Sequence, residues 1–363
     1  MKTKITKKST SIINEMIVKP YFLIYENLRL GLKEKRYRIY EETFTKEQAR
    51  SWQFSQQFMP EQAQSVIRNE HLRCFKITVT LEEGVSFSAN WFVNNGKNAK
   101  LKINDKLLRA LASMITMSQY STCGLGNKKV VLRMFDTNIR KFFPEGGQTI
   151  GPEHVNSAYT TPCKYSKSST LEIVIFRNEE WQKVLFHELM HTYSLDIGLD
   201  TNYIKKSLSK IFGGLDCKFN LTEAYCEFWA RALWTMISSR ETNDQQISLL
   251  MQQQKWAIKQ ASNVLLRMSH RSNSCNERTS AFSYYVITGF LLSAFPTVIE
   301  WCERNCEQLI SFPNTQQGIR GFLQLIDDIV HSDTIQAKWD ETLEQLGSET
   351  VTMGRVTSKM SYV

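Results

Sequence analysis

Five consecutive residues, His187-Glu-Leu-Met-His191, constrain this chain of 363 residues more than any other feature. They sit in a stretch with almost no polar face. Trp181, Leu185 and Leu189 repeat every four positions, and Phe186, Met190 and Tyr193 fill the neighbouring stripe. A helix that is apolar on nearly all sides is buried, and two imidazoles and a carboxylate inside it are costly to bury without a partner. At i,i+4 spacing the two histidines lie one above the other on one helix face. Imidazoles so placed can both reach one zinc ion at about 2.0–2.1 Å, and the intervening Glu188 can approach a water on that ion. Asn178 is the expected N-cap of this helix, with Glu179 and Glu180 in its first turn. The expectation is one zinc ion per chain, held by His187 and His191.

A catalytic zinc takes three protein ligands and leaves a position for water. The metzincin spacing is excluded, because Ser194 and Ile197 stand where it needs glycine and histidine. Asp196 is near, but faces away from the histidine stripe. Residues 220–231 read Asn-Leu-Thr-Glu-Ala-Tyr-Cys-Glu-Phe-Trp-Ala-Arg and describe a second buried helix with Glu223 and Glu227 on one face. Two buried carboxylates need partners. Glu223 is expected to be the third metal ligand, and Glu227 to accept the second N–H of a ligating histidine, which fixes its tautomer. Two alternatives stand beside these roles: a capping box between Asn220 and Glu223, and an i,i+4 ion pair between Glu227 and Arg231.

These residues resemble the gluzincin metallopeptidases, which combine HExxH on one helix with a glutamate on a following helix and often a second acidic residue four positions later. The resemblance implies a peptide or protein substrate, His187, His191 and Glu223 as zinc ligands, Glu188 as general base and Glu227 as orienting partner. It implies an oxyanion donor from a downstream Tyr or His, for which Tyr284, Tyr285 and His270 are the candidates. It also implies that the strand Leu171–Phe176 borders the cleft and pairs antiparallel with an extended substrate. The separation between His191 and Glu223 is within the range of that superfamily, though longer than in its thermolysin-like members. More narrowly, the run from Arg177 to Asp196 and the segment from Glu277 to Tyr285 are similar to metallopeptidases attributed to large DNA viruses, a likeness that spans about 150–285. That setting would place the chain in host cytoplasm or a virion. The non-enzymatic alternative is an inactive zincin-fold structural or virion-associated protein. Glu188 argues against it, because a structural zinc needs no base and usually closes its fourth position with Cys or His.

The expected architecture is α+β and zincin-like. Residues 1–70 form a basic helical extension, 71–178 a mixed α+β lobe bordering the cleft, and 179–363 a helical lobe carrying the zinc ligands, with the active-site helix at the junction. Cys74–Leu81 and Val85–Val93 read as a hairpin closed at Glu82-Glu83-Gly84. Leu107, Leu108, Leu111, Met114 and Ile115 place a helix over 104–119. Val130–Phe135 and Leu171–Phe176 read as strands, separated by a Gly- and Pro-containing loop over 144–162. Helices are expected near 179–195, 221–240, 245–269, 279–294, 297–310, 316–331 and 335–346.

Composition is that of an ordinary globular protein. The net charge of +9 is concentrated in Lys2, Lys4, Lys7 and Lys8 and again in Arg29, Lys33, Lys35, Arg36 and Arg38. Such an arm can contact nucleic acid, although no nucleic-acid-binding motif accompanies it, and the plainer reading is a solvated terminus. None of the eight cysteines forms a CxxC, so free thiols and a reducing, intracellular compartment are expected. The first residues do not read as a secretory signal. The longest apolar run, Tyr284–Phe295, is too short to span a bilayer, so no membrane association is expected.

Overall fold

A computed structural model describes residues 5–94, 100–145, 148–198, 202–239, 242–268 and 275–348. Lys2, Lys4 and His270 lie outside the described residues. The chain is α+β and divides into two compact units. One, the sheet unit, takes Met16–Arg140 and Asn156–Leu195; the other, the helical unit, takes Met1–Glu15, Lys141–Val155 and Asp196–Ser358. This division differs from the linear one expected from the sequence. Most of the presumed N-terminal extension is integral to the sheet unit, and so is the histidine helix, which was expected in the helical lobe.

The sheet unit is built on six strands: β1 (Tyr40–Phe44), β2 (Leu72–Thr80), β3 (Ser86–Asn94), β4 (Lys129–Phe135), β5 (Ala158–Thr160) and β6 (Thr170–Ile175). Their order is β1-β2-β3-β4-β6-β5. β2 and β3 form the expected hairpin, in register Leu72↔Asn94 through Thr80↔Ser86. Its turn needs a left-handed residue, and Gly84 supplies it at φ +82°, where a Cβ would meet the Asn127 side chain at 2.5 Å. β4 runs parallel to β3 and to β6. Such parallel pairs require crossovers. The helix α2 (Lys100–Ser118) connects β3 to β4 and packs on β3. Against α2 lie α1 (Lys19–Lys33) and α3 (Trp181–Thr192), and α3 also packs on β5 and β6.

The period-2 pleat sorts the strand residues between two faces. Phe75, Ile77, Phe87, Ala89, Trp91, Leu132, Met134, Ile173 and Ile175 take one parity and are buried. Cys74, Phe92 and Val174 take the other and join Phe135, Phe176, Met59, Ala63 and Ile67 in a second core. The segment Glu61–Arg68 covers that second face, with Trp52 and Phe54 wedged against Phe92 and Phe135.

Two strands were not expected. β1 falls within the stretch read as helical and β5 within the loop over 144–162. β5 has a consequence for β6, which was expected to border a cleft. β6 is bonded to β4 along its length and to β5 over Ile173–Ile175, so it is an interior strand over that half.

The helical unit holds α4 (Leu221–Ser238), α5 (Asn243–Met268), α6 (Phe295–Asn305), α7 (Gln316–Val330) and α8 (Asp333–Ser348). The segment Phe282–Ile287, wound as a π-helix and continuing into Thr288–Ser293, packs on both α4 and α5. Among the described residues no single helix is long and apolar enough to cross a membrane. Several basic-arm cations are held by neighbouring acids: Lys7 by Asp244 at 3.2 Å, Arg29 by Glu26 at 2.7 Å and Arg36 by Glu34 at 2.9 Å.

The cysteines correct another expectation. Cys123–Cys163 and Cys217–Cys275 are disulfide-bonded, whereas Cys74, Cys226, Cys302 and Cys306 remain thiols. The bonded pairs are 40 and 58 residues apart in sequence, so tertiary folding alone brings them together. A reducing compartment therefore no longer follows from the cysteines.

Phe135 is 1% exposed, stacks on Phe92 at 4.7 Å and meets Phe54 edge-on at 5.7 Å. Phe135→Ala is expected to cost about 3–5 kcal/mol of stability through the cavity it leaves. Urea denaturation should show a lower midpoint, and an unchanged midpoint would mean that this aromatic cluster is not part of the cooperative core.

Candidate metal centre

α3 starts abruptly. Glu180 occupies the N-cap position in the left-handed region at φ 57° and makes no side-chain cap bond. Asn178, the expected cap, instead gives its carbonyl to Trp181 N–H at 3.3 Å, and its Oδ1 accepts from Lys106 at 3.5 Å. The reason is the sharp exit from β6, which makes Glu180 the residue that turns the chain. Lys183 lies 3.7 Å from Glu180, both side chains almost wholly buried. Gln182 donates to the Tyr21 hydroxyl at 3.1 Å.

The far end is held as firmly. Thr192 Oγ1 donates to the Glu188 carbonyl at 2.7 Å and lies 2.9 Å from Thr160 Oγ1 on β5. Cys163 N–H donates to Thr192 O at 2.9 Å, and Cys163 is itself bonded to Cys123. Ser194, at φ 54°, closes the helix in a left-handed turn, with Leu195 N–H returning to Met190 O. Tyr193 OH donates to Met114 O on α2 at 2.9 Å, and burial pushes that hydroxyl well above the usual phenol range. The histidine helix is thus fixed in position at both ends by groups of its own unit.

Between those ends, His187 and Glu188 are each 7% exposed and His191 is half-buried. The imidazoles meet edge to face at 69°, with their Nε2 atoms 3.2 Å apart. Two nitrogens on one tetrahedral ion at about 2.0–2.1 Å stand about 3.3 Å from each other. The donor pair therefore fits a zinc ion by chemistry and by spacing. Without metal, the same approach is an imidazole–imidazole hydrogen bond.

In the helical unit, α4 presents Glu223 and Glu227 one turn apart, as the spacing implied. Asn220 caps the helix, its Oδ1 accepting from Thr222 N–H at 3.1 Å and Glu223 N–H at 3.4 Å. A capping box would also tie the Asn220 N–H to the Glu223 carboxylate. That N–H goes to Ser283 Oγ at 2.8 Å instead, so the cap forms without enlisting the half-buried Glu223 side chain. Glu227 is fully buried, and Arg231 binds its Oε1 at 2.6 Å, so the ion pair allowed by sequence is formed. Arg231 also donates to Gln253 at 3.3 Å and lies 4.3 Å over the Trp256 ring.

Tyr284 and Tyr285 are adjacent on the π-helical segment. Tyr285 is buried against Phe143 at 5.5 Å, which gives it a packing role, while Lys141 lies over the half-exposed Tyr284 ring. Sequence reasoning missed Ser283, Thr160 and Thr192, isolated hydroxyls that carry no pattern. Comparison with protein-family models, with curated proteins and with solved structures finds no match to this chain.

Glu227→Ala is expected to strand the Arg231 charge in the core, at a cost of about 3–5 kcal/mol. Thermal and urea unfolding should show that loss, and the double variant Glu227→Met, Arg231→Met should recover most of it. If the double variant is no more stable than the single one, the ion pair is not what the first substitution disrupted.

Proposed function

We propose that the chain is a zinc-dependent peptidase of gluzincin type, hydrolysing peptide bonds in a protein or peptide substrate. The observation that carries this reading is the 3.2 Å separation of the His187 and His191 Nε2 atoms on a buried helix whose next residue is Glu188. The third ligand in this reading is Glu223. Its support is a first-turn position on α4, one helical turn before the buried Glu227.

When bound, the zinc ion supplies a Lewis acid that brings the pKa of a water toward about 7 and polarises a carbonyl. Glu188 accepts the proton of the attacking water at a carboxylate oxygen and returns it to the leaving amine. Burial of Glu188 keeps bulk water from competing for that proton, and the bond from Thr192 to its carbonyl fixes its stretch of helix. α3, anchored at Gln182 and Thr192, carries the two histidines, and Glu227 remains the candidate partner for the second N–H of one of them. Of the two tyrosines, Tyr285 is engaged in packing against Phe143, and Tyr284 is kept as the oxyanion-donor candidate.

The purified full chain is expected to carry about one zinc ion in the site that His187 and His191 share. His187→Ala should lose it and Glu223→Ala should weaken it. Glu188→Gln should retain zinc while turnover on a peptide library falls by about 10²-fold or more. Full zinc occupancy in His187→Ala rejects the site, full occupancy in Glu223→Ala rejects the third ligand, and undiminished turnover in Glu188→Gln rejects the base.

A further inference from the structure

A second set of metal-binding side chains lies within the helical unit, on the segments that precede α4 and the π-helical turn. Cys217, Cys275 and Glu277 present two sulfurs and a carboxylate oxygen within 4.8 Å of one another. The two cysteines are bonded in the structure, their Cα atoms 4.8 Å apart. Glu277 is 9% exposed, and no cation forms an ion pair with it among the described residues. Its carboxylate is aimed rather than loose: Oε1 accepts Lys218 N–H at 2.8 Å and Oε2 accepts Phe282 N–H at 2.9 Å. Ligating carboxylates are commonly oriented by such bonds.

The backbone around the cluster is cross-tied. Cys275 N–H donates to Asp216 O at 2.9 Å, and Ile150 pairs with Glu277 in a parallel bridge flanked by bonds to Asn276 and Arg278. Lys218 Nζ donates to Arg278 O at 2.9 Å, so positive charge stands beside the donor set. The two sulfur-bearing segments therefore remain adjacent through hydrogen bonds when the disulfide opens. Cys217 is half-exposed, which leaves a path for a reductant and an ion.

The geometry points to a second cation site, formed when Cys217 and Cys275 are reduced and completed by Glu277, with the disulfide as its oxidised, ion-free form. Two thiolates and one carboxylate select a thiophilic divalent ion, zinc first among the abundant ones. The exchange balances in two steps. An external dithiol reduces the Cys217–Cys275 bond, delivering two electrons and two protons to the two sulfurs while it becomes a disulfide. The divalent ion then displaces those two protons, forming two metal–sulfur bonds and one metal–oxygen bond. The remaining coordination position is left to solvent on the Cys217 side. This inference does not rest on the peptidase reading, whose ligands include no sulfur.

The test uses the full chain, oxidised or reduced with a dithiol that is then removed without air, and titrated with Co2+. The reduced chain is expected to show thiolate-to-cobalt charge-transfer absorption and to take up one more ion than the oxidised chain. Cys275→Ser should abolish that absorption. Glu277→Gln, which keeps both sulfurs, should weaken the sulfur-bound ion about tenfold or more, and it stands in should Cys275→Ser fail to fold. Equal uptake by oxidised and reduced chains, thiolate absorption that persists in Cys275→Ser, or unchanged affinity in Glu277→Gln overturns the proposal. A cobalt spectrum with only nitrogen and oxygen ligands supports the histidine site and counts against this one.

Discussion

The burial of two imidazoles and a carboxylate on one apolar helix is the constraint from which the rest follows. Transfer of a polar group out of water costs about 2–7 kcal/mol unless a partner replaces the lost hydration, and an ionised group costs more. α3 carries His187 and Glu188 at 7% exposure, so the sequence commits to a compensating interaction at that point. The helix turn then dictates what kind of partner can serve. Residues i and i+4 face the same way, and the two Nε2 atoms, 3.2 Å apart, converge on one point. A small divalent cation matches both the charge and the convergence.

Such a convergence is useful only if the helix cannot drift. α3 is short, twelve residues, and its own ends are irregular, with left-handed residues at Glu180 and Ser194. Rigidity comes instead from the sheet unit. The Tyr21 hydroxyl meets one end, and Thr160, Cys163 and Met114 meet the other. The Cys123–Cys163 disulfide adds a covalent tie at the segment that receives the Thr192 carbonyl. Strain at Glu180, about 1–3 kcal/mol for such a backbone, persists because the surrounding bonds over-determine it.

What could be read in the sequence was whatever declares itself locally. The β2–β3 hairpin followed from alternation and one glycine, β4 and β6 from short apolar runs, and the core helices from 3.6-residue periodicity. The HExxH stripe and the Glu223/Glu227 face were legible for the same reason. β1 was not, because four of its five residues, Tyr40 to Thr43, are exposed, so it has no apolar face to announce it. β5 is three residues long and hidden among Gly and Pro. The disulfides, the diversion of Asn220 N–H to Ser283, and the replacement of Asn178 by Glu180 at the start of α3 all depend on contacts distant in sequence or on a backbone turn. No local pattern encodes them.

β5 matters for how any extended chain could be held. A strand added to a sheet needs an edge with unpaired N–H and C=O groups. β6 offers such an edge only over Thr170 and Leu171, because Ile173–Ile175 already pair with β5 and Glu172 O accepts from Thr160 Oγ1 at 2.8 Å. An extended substrate bound by strand addition would therefore have to pair with the outer side of β5 or stop at the short open stretch of β6. Thr160, the last residue of β5, contacts Thr192 one turn beyond Glu188, so a chain on β5 would lie beside the end of α3 that carries His191 and the proposed base. The same three-residue strand thus links the anchoring of the histidine helix to an outer edge of the sheet.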